Sequence, residues 1–509
     1  MPPIVKYITV NAPVPSLSDN LADIDRLKRA LLTETAARPL SIPFAQVSNV
    51  AAAFRQAKFS GTAVINDLGE RLELVDFVEN PGPLAAMALD LGSTHLEASL
   101  LDLRSGDTLA HTHGENSQIA FGADILSRIH FAARPGGLVR LHEAVIGNIN
   151  DLARQLARQA ALPPENIRAL AVSGNPTMTH LFLNLNPGHI CREPYIPLIN
   201  APDICYGREL GLDIHPAAPV FIMPGVGSYF GGDLISGIMA SGIDEQEHTS
   251  MLIDVGTNAE VVLGNRDWLM ACAGAAGPAL EGGVARMGMR AGAGAIEHIN
   301  ITPGSGVVKY ETIDGSPARG ICGSGIIDLV ASLYLTGIID LRGKFRPAGD
   351  QDGRLRKGAE GWSYMVVPGT ETADGRAIEL NQVDLDAMMR SKAAMYAILT
   401  TLVSQVGVSF AELDKIYVAG AFGRHISPRR AITLGMLPDL PLETYVPIGN
   451  SSLRGAEKAL LSGRARVRCQ EIRRNITYIE LNVNQEFMLR FSGAKFIPHT
   501  DRSLFPSVP

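Results

Sequence analysis

The strongest constraint in the sequence is an internal repeat, in which a strand, an acidic glycine turn and a hairpin occur twice in the same order. The first copy runs from an apolar strand at 85–89 into DLGST at 90–94 and then into two alternating strands. The second runs from 250–253 into DVGTN at 254–258, about 160 residues later, and turns back in the same way. A repeat at that distance indicates a duplicated α/β domain rather than a solenoid.

Both turns have the composition of a phosphate-binding loop. Glycine lets the backbone approach a ligand closely, and consecutive backbone N–H groups in a turn form an anion-binding concavity. The aspartate would repel phosphate by itself, so its presence indicates a hydrated Mg²⁺. A third element, a strand running into GAFG at 415–423, follows where a nucleoside-covering turn is expected. One such motif occurs by chance in many proteins, but three in this order are specific.

Composition excludes several classes of protein. The chain has 45 Lys and Arg against 52 Asp and Glu, a net charge of −7, and no basic stripe, so nucleic acid is not an expected partner. The N-terminus lacks a signal-peptide pattern, and the longest apolar stretches are interrupted by polar residues. We therefore expect no membrane contact and a cytoplasmic location.

The N-terminal part reads as a separate small unit. Residues 1–22 are rich in Pro, Ser and Asn and are expected to form an extended arm. Residues 23–82 contain two helical patterns followed by a hairpin signal, which predicts a small α+β domain. A proline- and glycine-rich linker at 80–83 separates it from the repeat.

The three motifs resemble those of the superfamily of acetate and sugar kinases, heat-shock chaperones and actin. ALDLGSTHLEASL resembles its first phosphate motif, LIDVGTNAEVVLG its second, and IYVAGAFG its adenosine motif. The resemblance implies an actin-like ATPase domain over 83–509, made of two ribonuclease-H-like subdomains with ATP in the cleft. We expect the first subdomain at about 83–218 and the second at about 219–509.

Further segments resemble one family in that superfamily, the ATP-dependent reductive activators of corrinoid enzymes. The small unit at 23–82 also resembles the family's middle domain, so the likeness covers nearly the whole chain. The resemblance implies an ATPase that binds a corrinoid methyltransferase protein and promotes reduction of inactive Co(II) to Co(I). ATP would favour the conformation that binds the partner in a more reducible form. The segments are 116–125, 173–181, 276–282 with 288–291, 320–328 and 479–482 with Phe487.

The motifs give each candidate site residue a role. Asp90 and Asp254 are the expected catalytic pair, which organises Mg²⁺ through water and the attacking water molecule, because phosphoryl transfer depends mainly on positioning and charge neutralisation. Glu260 and Glu281 are candidates for contact with the nucleotide or water, and a plain surface role fits them equally well. The expected phosphate contacts are Gly92, Ser93, Thr94, Gly256, Thr257 and Asn258, and the expected nucleoside contacts are Gly420, Ala421, Phe422 and Gly423.

Three further residues lie in motifs near these turns. Lys392 falls in a predicted helix over 383–406 and is expected on a solvated face. Cys322 is expected to be a small residue in a tight glycine turn. Asp233 follows two glycines and could lie near the floor of the cleft.

Cysteine usage departs from the family pattern. Members of the family usually begin with a plant-type [2Fe–2S] domain of C-x4-C-x2-C…C spacing, whereas the first cysteine here is Cys191. The five cysteines contain no C-x-x-C pair, so we expect neither a zinc site nor an iron–sulfur cluster in this chain. Electrons would then come from a separate ferredoxin or flavoprotein, and a homodimer is left open.

Two other functions remain open on the same fold. A small-molecule kinase would need a substrate pocket with a base near the γ-phosphate. A nucleotide-dependent, chaperone-like binding protein would need no redox partner.

Overall fold

The computed structural model divides into two compact units. The first comprises Met1–Ala240 and Ser452–Arg474, and the second Ser241–Ser451 and Asn475–Pro509. Of residue 421 only the backbone is described. The described residues are 2–32, 38–256, 258–274, 285–350, 353–359, 361–481 and 484–509.

The first unit begins with a small sheet flanked by two helices. Its strands are β1 (Val5–Asn11), β2 (Leu40–Ser41), β3 (Ser60–Asp67) and β4 (Leu72–Val78), in the order β1-β3-β4-β2. Helices α1 (Asp23–Leu31) and α2 (Phe44–Gln56) bury their apolar faces in the same cluster as the strands.

The expectation of an extended arm over 1–22 is wrong for its first half. Strand β1 pairs with β3 in antiparallel register over its whole length. Ile8 and Val10 of β1 join the core of the small sheet, and Val5 packs with Leu84 and Leu453 of the larger domain. The prolines and serines that flank VKYITVN favoured the prediction of an extended arm over that of a strand.

A second sheet follows in the same unit. Its strands are β5 (Ala85–Leu91), β6 (His95–Asp102), β7 (Thr108–Glu115), β8 (Leu170–Gly174), β9 (Cys205–Tyr206) and β10 (Pro219–Ile222). Their order is β7-β6-β5-β8-β10-β9, with β5, β8 and β10 parallel. The helices of this part are α3 (Ile125–Ala132), α4 (Gly137–Gln159), α5 (Pro176–Phe182) and α6 (Gly232–Ser241).

A return of the chain completes the first unit. Helices α11 (Ser451–Leu461) and α12 (Gly463–Asn475) form this return, and α11 carries Leu453, Ala456 and Leu460 into the cluster that contains Ala86 and Ala88 of β5. The predicted division near 218 therefore differs from the structure, in which 219–240 and 452–474 also belong to the first unit.

The second unit contains a sheet that repeats this plan. Its strands are β11 (Ser250–Val255), β12 (Ala259–Gly264), β13 (Leu269–Gly274), β20 (Ile416–Ala419), β21 (Tyr445–Gly449) and β22 (Ile476–Ile479). Their order is β21-β20-β11-β12-β13-β22. On one side of β11, β12 and β13 follow as antiparallel neighbours. On its other side, β20 and β21 run parallel to it. The order β13-β12-β11-β20-β21 repeats the order β7-β6-β5-β8-β10 of the first unit. The predicted duplicated fold is therefore confirmed.

Further strands and helices enlarge the second unit. The additional strands are β14 (Ala295–Ile301), β15 (Val308–Thr312), β16 (Gly320–Ile321), β17 (Leu355–Gly358), β18 (Gly361–Val367) and β19 (Ile378–Asn381). The helices are α7 (Gly323–Leu335), α8 (Gln382–Gln405), α9 (Gly420–His425), α10 (Pro428–Leu434) and α13 (Gln485–Gly493). None of the helices in these described ranges is both long and apolar enough to cross a bilayer.

Two of the weaker sequence expectations fall in this unit. The expectation that Lys392 lies on a solvated face is wrong, since its side chain is fully buried in α8. Its Nζ donates to the carbonyl oxygens of Phe496 and Pro498 at 2.5 and 2.7 Å, and burial lowers the pKa of the ammonium group. Cys322 is buried at the start of α7, in line with a small residue in a tight turn.

Candidate functional site

Asp90 lies at the carboxyl end of the central strand of the first unit. It is the second-last residue of β5, opposite Glu97 of β6 and Ser173 of β8. Ligands of open α/β sheets bind at this edge, beyond the carboxyl ends of parallel strands. The residue is partly exposed, so its carboxylate is available to solvent or a ligand.

A chain of three serine hydroxyls ends on Asp90. Ser452 Oγ lies 2.7 Å from Asp90 Oδ1 and 2.9 Å from Ser173 Oγ, which lies 2.8 Å from Ser236 Oγ. A hydroxyl has one proton, and a carboxylate only accepts, so Ser452 donates to Asp90 and accepts from Ser173. Gly455 allows this approach, because a Cβ there would lie 2.2 Å from Ser236 Cβ.

The first glycine turn is shaped by close backbone contacts. A Cβ at Gly92 would lie 2.3 Å from the carbonyl oxygen of His95, so only glycine fits. Asn116, which follows β7, donates from Nδ2 to the Gly92 carbonyl at 2.9 Å and from its backbone N–H to the Thr94 carbonyl at 2.8 Å. Ser93 and Thr94 in the turn are partly exposed.

Asp254 occupies the equivalent place in the second unit. It is the second-last residue of β11, opposite Glu260 of β12 and Ala419 of β20. The turn after it is closed by a hydrogen bond from Gly256 N–H to the Asn258 carbonyl at 2.9 Å, and both of these residues are exposed. The second unit thus presents a carboxylate and an exposed turn in the same arrangement as the first.

The structure brings the GAFG element next to Asp254. Gly420 has a φ of +68°, and a Cβ there would lie 3.2 Å from Asp254 Oδ1. The predicted turn is the start of α9, and Gly423 packs so closely on β20 that a Cβ would lie 2.1 Å from the Val418 carbonyl oxygen. Phe422 is 5% exposed and packs in the core of the unit, so its ring does not face a ligand.

The other predicted site residues divide into two groups. Glu260 is partly exposed beside Asp254, and Asp233 begins α6, where its Oδ1 accepts from the Leu234 N–H at 2.9 Å. A Cβ at Gly231 would lie 2.7 Å from that Oδ1 and 2.4 Å from Asn175 Cα, which places Asp233 near the carboxyl end of β8. Thr257, Glu281 and the side chain of Ala421 lie outside the described residues.

The two turns fit ATP and Mg²⁺. Gly420 places no side chain beside Asp254, where a Cβ would lie 3.2 Å from Asp254 Oδ1. Mg²⁺ is usually held by one or two carboxylates together with substrate phosphates rather than by a protein cage. Asp90 in the first unit and Asp254 in the second are each a carboxylate of this kind, and the described part of the chain has no group of three or more His, Cys, Asp or Glu that could hold a metal by itself.

Three family models match consecutive parts of the chain. Residues 1–80 match the RACo linker region, 85–246 the RACo middle region, and 248–509 the model described as the C-terminal domain of RACo, the ASKHA domain. The chain belongs to the RACo family. The assignment of 23–82 to the family's middle domain is therefore corrected: that unit corresponds to the linker region.

Named relatives agree with this membership. "Corrinoid activation enzyme RamQ" from Eubacterium limosum is 33% identical over 82% of this chain and 71% of its own length. "[Co(II) methylated amine-specific corrinoid protein] reductase" from Methanosarcina barkeri is 25% identical over 74% of this chain and 69% of its own. The solved structure "Reductive activator for corrinoid,iron-sulfur protein" is 38% identical, with a TM-score of 0.90, over 99% of this chain and 81% of that one.

Proposed function

We propose that the chain is an ATP-dependent reductive activator of a corrinoid-binding methyltransferase protein. The observation that carries the proposal is the agreement, over 99% of the chain, with a solved activator of a corrinoid protein at a TM-score of 0.90. Two curated relatives are also named for corrinoid activation or reduction. Family membership favours this function over the kinase and the chaperone-like binding protein.

ATP and Mg²⁺ are the proposed ligands of the two turns. Asp90 and Asp254 would hold Mg²⁺ through water, and the turns at 92–94 and 256–258 would contact phosphates through backbone N–H groups. Bound Mg-ATP supplies charge neutralisation and the free energy of hydrolysis. The hydrogen bond from Ser452 fixes the orientation of the Asp90 carboxylate, which positioning-dominated phosphoryl transfer requires.

The ASKHA domain would act on the partner by population shift. A nucleotide that binds one conformation more tightly can shift the equilibrium only by its differential affinity. That conformation would bind the Co(II) form of the partner, and one electron would then convert Co(II) to Co(I). A separate ferredoxin or flavoprotein is the proposed donor, since Cys191, Cys205, Cys272, Cys322 and Cys469 do not follow plant-type cluster spacing.

The test is ATP turnover by the purified protein alone, with a Co(II) corrinoid methyltransferase protein, and with free cob(II)alamin. We expect stimulation by the protein partner and none by the free cofactor. Asp254→Ala should abolish turnover in every mixture. The matched control is Asp267→Ala, which removes an exposed carboxylate from a turn of the same sheet.

Two results would speak against the proposal. Turnover that appears only when small metabolites are added would favour the kinase. Unchanged turnover in Asp254→Ala would show that the metal and phosphate assignment is wrong.

A further inference from the structure

The segment NSQ at 116–118 is one of the family-like motifs to which the nucleotide site gives no direct role. Asn116 is fully buried and makes two hydrogen bonds to one turn, from its side chain to Gly92 and from its backbone to Thr94. Its Oδ1 accepts from the Gln118 N–H at 3.0 Å and so caps the short helical turn that follows. Both polar atoms of the Asn116 side chain, Nδ2 and Oδ1, are thus held by hydrogen bonds.

These bonds determine where the N–H groups of the turn point. In a trans peptide the carbonyl and the next N–H point in opposite directions. Since the Gly92 carbonyl faces Asn116, the N–H of Ser93 is directed away from Asn116. The Thr94 carbonyl is held in the same way, so the N–H of His95 is also directed away from Asn116.

Asn116 is itself anchored to the helical layer. Gln118 Nε2 donates to the Leu141 carbonyl of α4 at 2.8 Å, and Gln118 is fully buried. Arg128 of α3 donates from Nε to the Gly122 carbonyl at 3.0 Å, which holds the loop between the motif and α3. A buried network of this kind resists rotation of any one member.

We propose that Asn116 is a positioning residue, which orients the Gly92–Thr94 turn so that its N–H groups face the ATP phosphates. The inference rests on the proposed nucleotide site, to which it adds a residue that touches neither phosphate nor metal. It assigns a role to the NSQ motif, in which Asn116 contacts the turn and Gln118 anchors the segment to α4.

The test compares Asn116→Ser with the unchanged protein by calorimetric titration with Mg-ATP and, separately, with adenosine. Serine keeps an acceptor for the capping bond, but its hydroxyl lies one bond closer to the backbone than Asn116 Nδ2 and does not reach Gly92, so the turn loses its side-chain hydrogen bond. We expect Mg-ATP affinity to fall by roughly two- to tenfold, the range for the loss of one neutral hydrogen bond, and adenosine affinity to stay the same.

A matched control exists in the same unit. Asn150 donates to the Gly211 carbonyl at 3.0 Å and accepts from the Asp213 N–H at 2.8 Å, the same pattern on another loop. Asn150→Ser should leave both affinities unchanged. Asn116→Ala, which adds no charge near the phosphates, supplies the same comparison if the serine variant fails to fold.

The outcomes separate the inference from the function on which it rests. Equal loss of ATP and adenosine affinity, or no loss, would overturn the role of Asn116 while ATP binding by the unchanged protein upholds the site. Failure of the unchanged protein to bind Mg-ATP would overturn the proposed function and this inference with it.

Discussion

Removal of the Ser452 hydroxyl should impair ATP turnover although the residue lies 362 positions from Asp90. The substitution is Ser452→Ala. Ser452 is buried and donates to Asp90 Oδ1 at 2.7 Å, within the range of a hydrogen bond to a charged acceptor. Without that donor the carboxylate can rotate away from the position in which it would hold the hydrated metal.

The size of the effect follows from the kind of bond. A hydrogen bond to a charged group contributes about 1.5–3 kcal/mol. If the whole of that energy is expressed in the transition state, turnover falls by roughly tenfold to somewhat more than a hundredfold. The Ser173 hydroxyl keeps its contact with Ser236 in the variant, so the loss is confined to the Asp90 end of the chain.

The neighbouring residue supplies the control. Ser451 is 1% exposed, and its Oγ has no hydrogen-bond partner among the described residues. Ser451→Ala removes the same atom from the same helix and should leave turnover unchanged. The assay is steady-state ATP hydrolysis together with thermal unfolding, to separate activity from stability. Equal turnover in the two alanine variants would show that the hydrogen bond from Ser452 does not position Asp90 for hydrolysis.

Two further predictions concern Gly420 and His215. Gly420→Ala and Gly407→Ala both place alanine at a φ of +68°. Each should lower the free energy of unfolding, measured in urea, by about 1–2 kcal/mol. Only Gly420→Ala also puts a methyl group 3.2 Å from Asp254 Oδ1. Only Gly420→Ala should therefore lose ATP turnover, and equal activity in both would contradict the placement. Burial, and then Arg168, lower the pKa of His215 to about 4. The unfolded chain, with a pKa near 6.5, binds this proton more readily, so the free energy of unfolding should fall by roughly 3 kcal/mol as the pH drops from about 6.5 to about 4. Urea titrations should show a smaller pH slope in His215→Gln, and an identical slope would exclude His215 as the cause.

Local pattern was sufficient to predict the repeated sheets. The strands at 85–91 and 250–255 are apolar runs that end in the same acidic turn, and each is followed by an alternating hairpin. Such periodicity depends on neighbours in sequence, and the structure reproduces it within a few residues. The predicted strand into GAFG also holds, except that the glycine turn is the start of α9.

Contacts between residues far apart in the chain could not be predicted from local sequence patterns. Ser452 lies in a helix that contains none of the acidic glycine turns of the repeat, and it joins Asp90 because α11 returns to the first sheet. Lys392 looked like a surface residue because its burial depends on a C-terminal segment about a hundred residues away. Neither contact can be predicted from the residues that are neighbours in sequence.

The most direct test of the proposed reductive activation is to follow the reduction of cobalt itself. A Co(II) corrinoid methyltransferase protein, a low-potential ferredoxin or flavoprotein and this protein are mixed under anaerobic conditions, and the Co(I) absorption band is recorded with and without Mg-ATP. We predict that Co(I) accumulates only when both this protein and Mg-ATP are present, and that Asp254→Ala abolishes the ATP-dependent part. Accumulation of Co(I) that is independent of Mg-ATP or of this protein would contradict it.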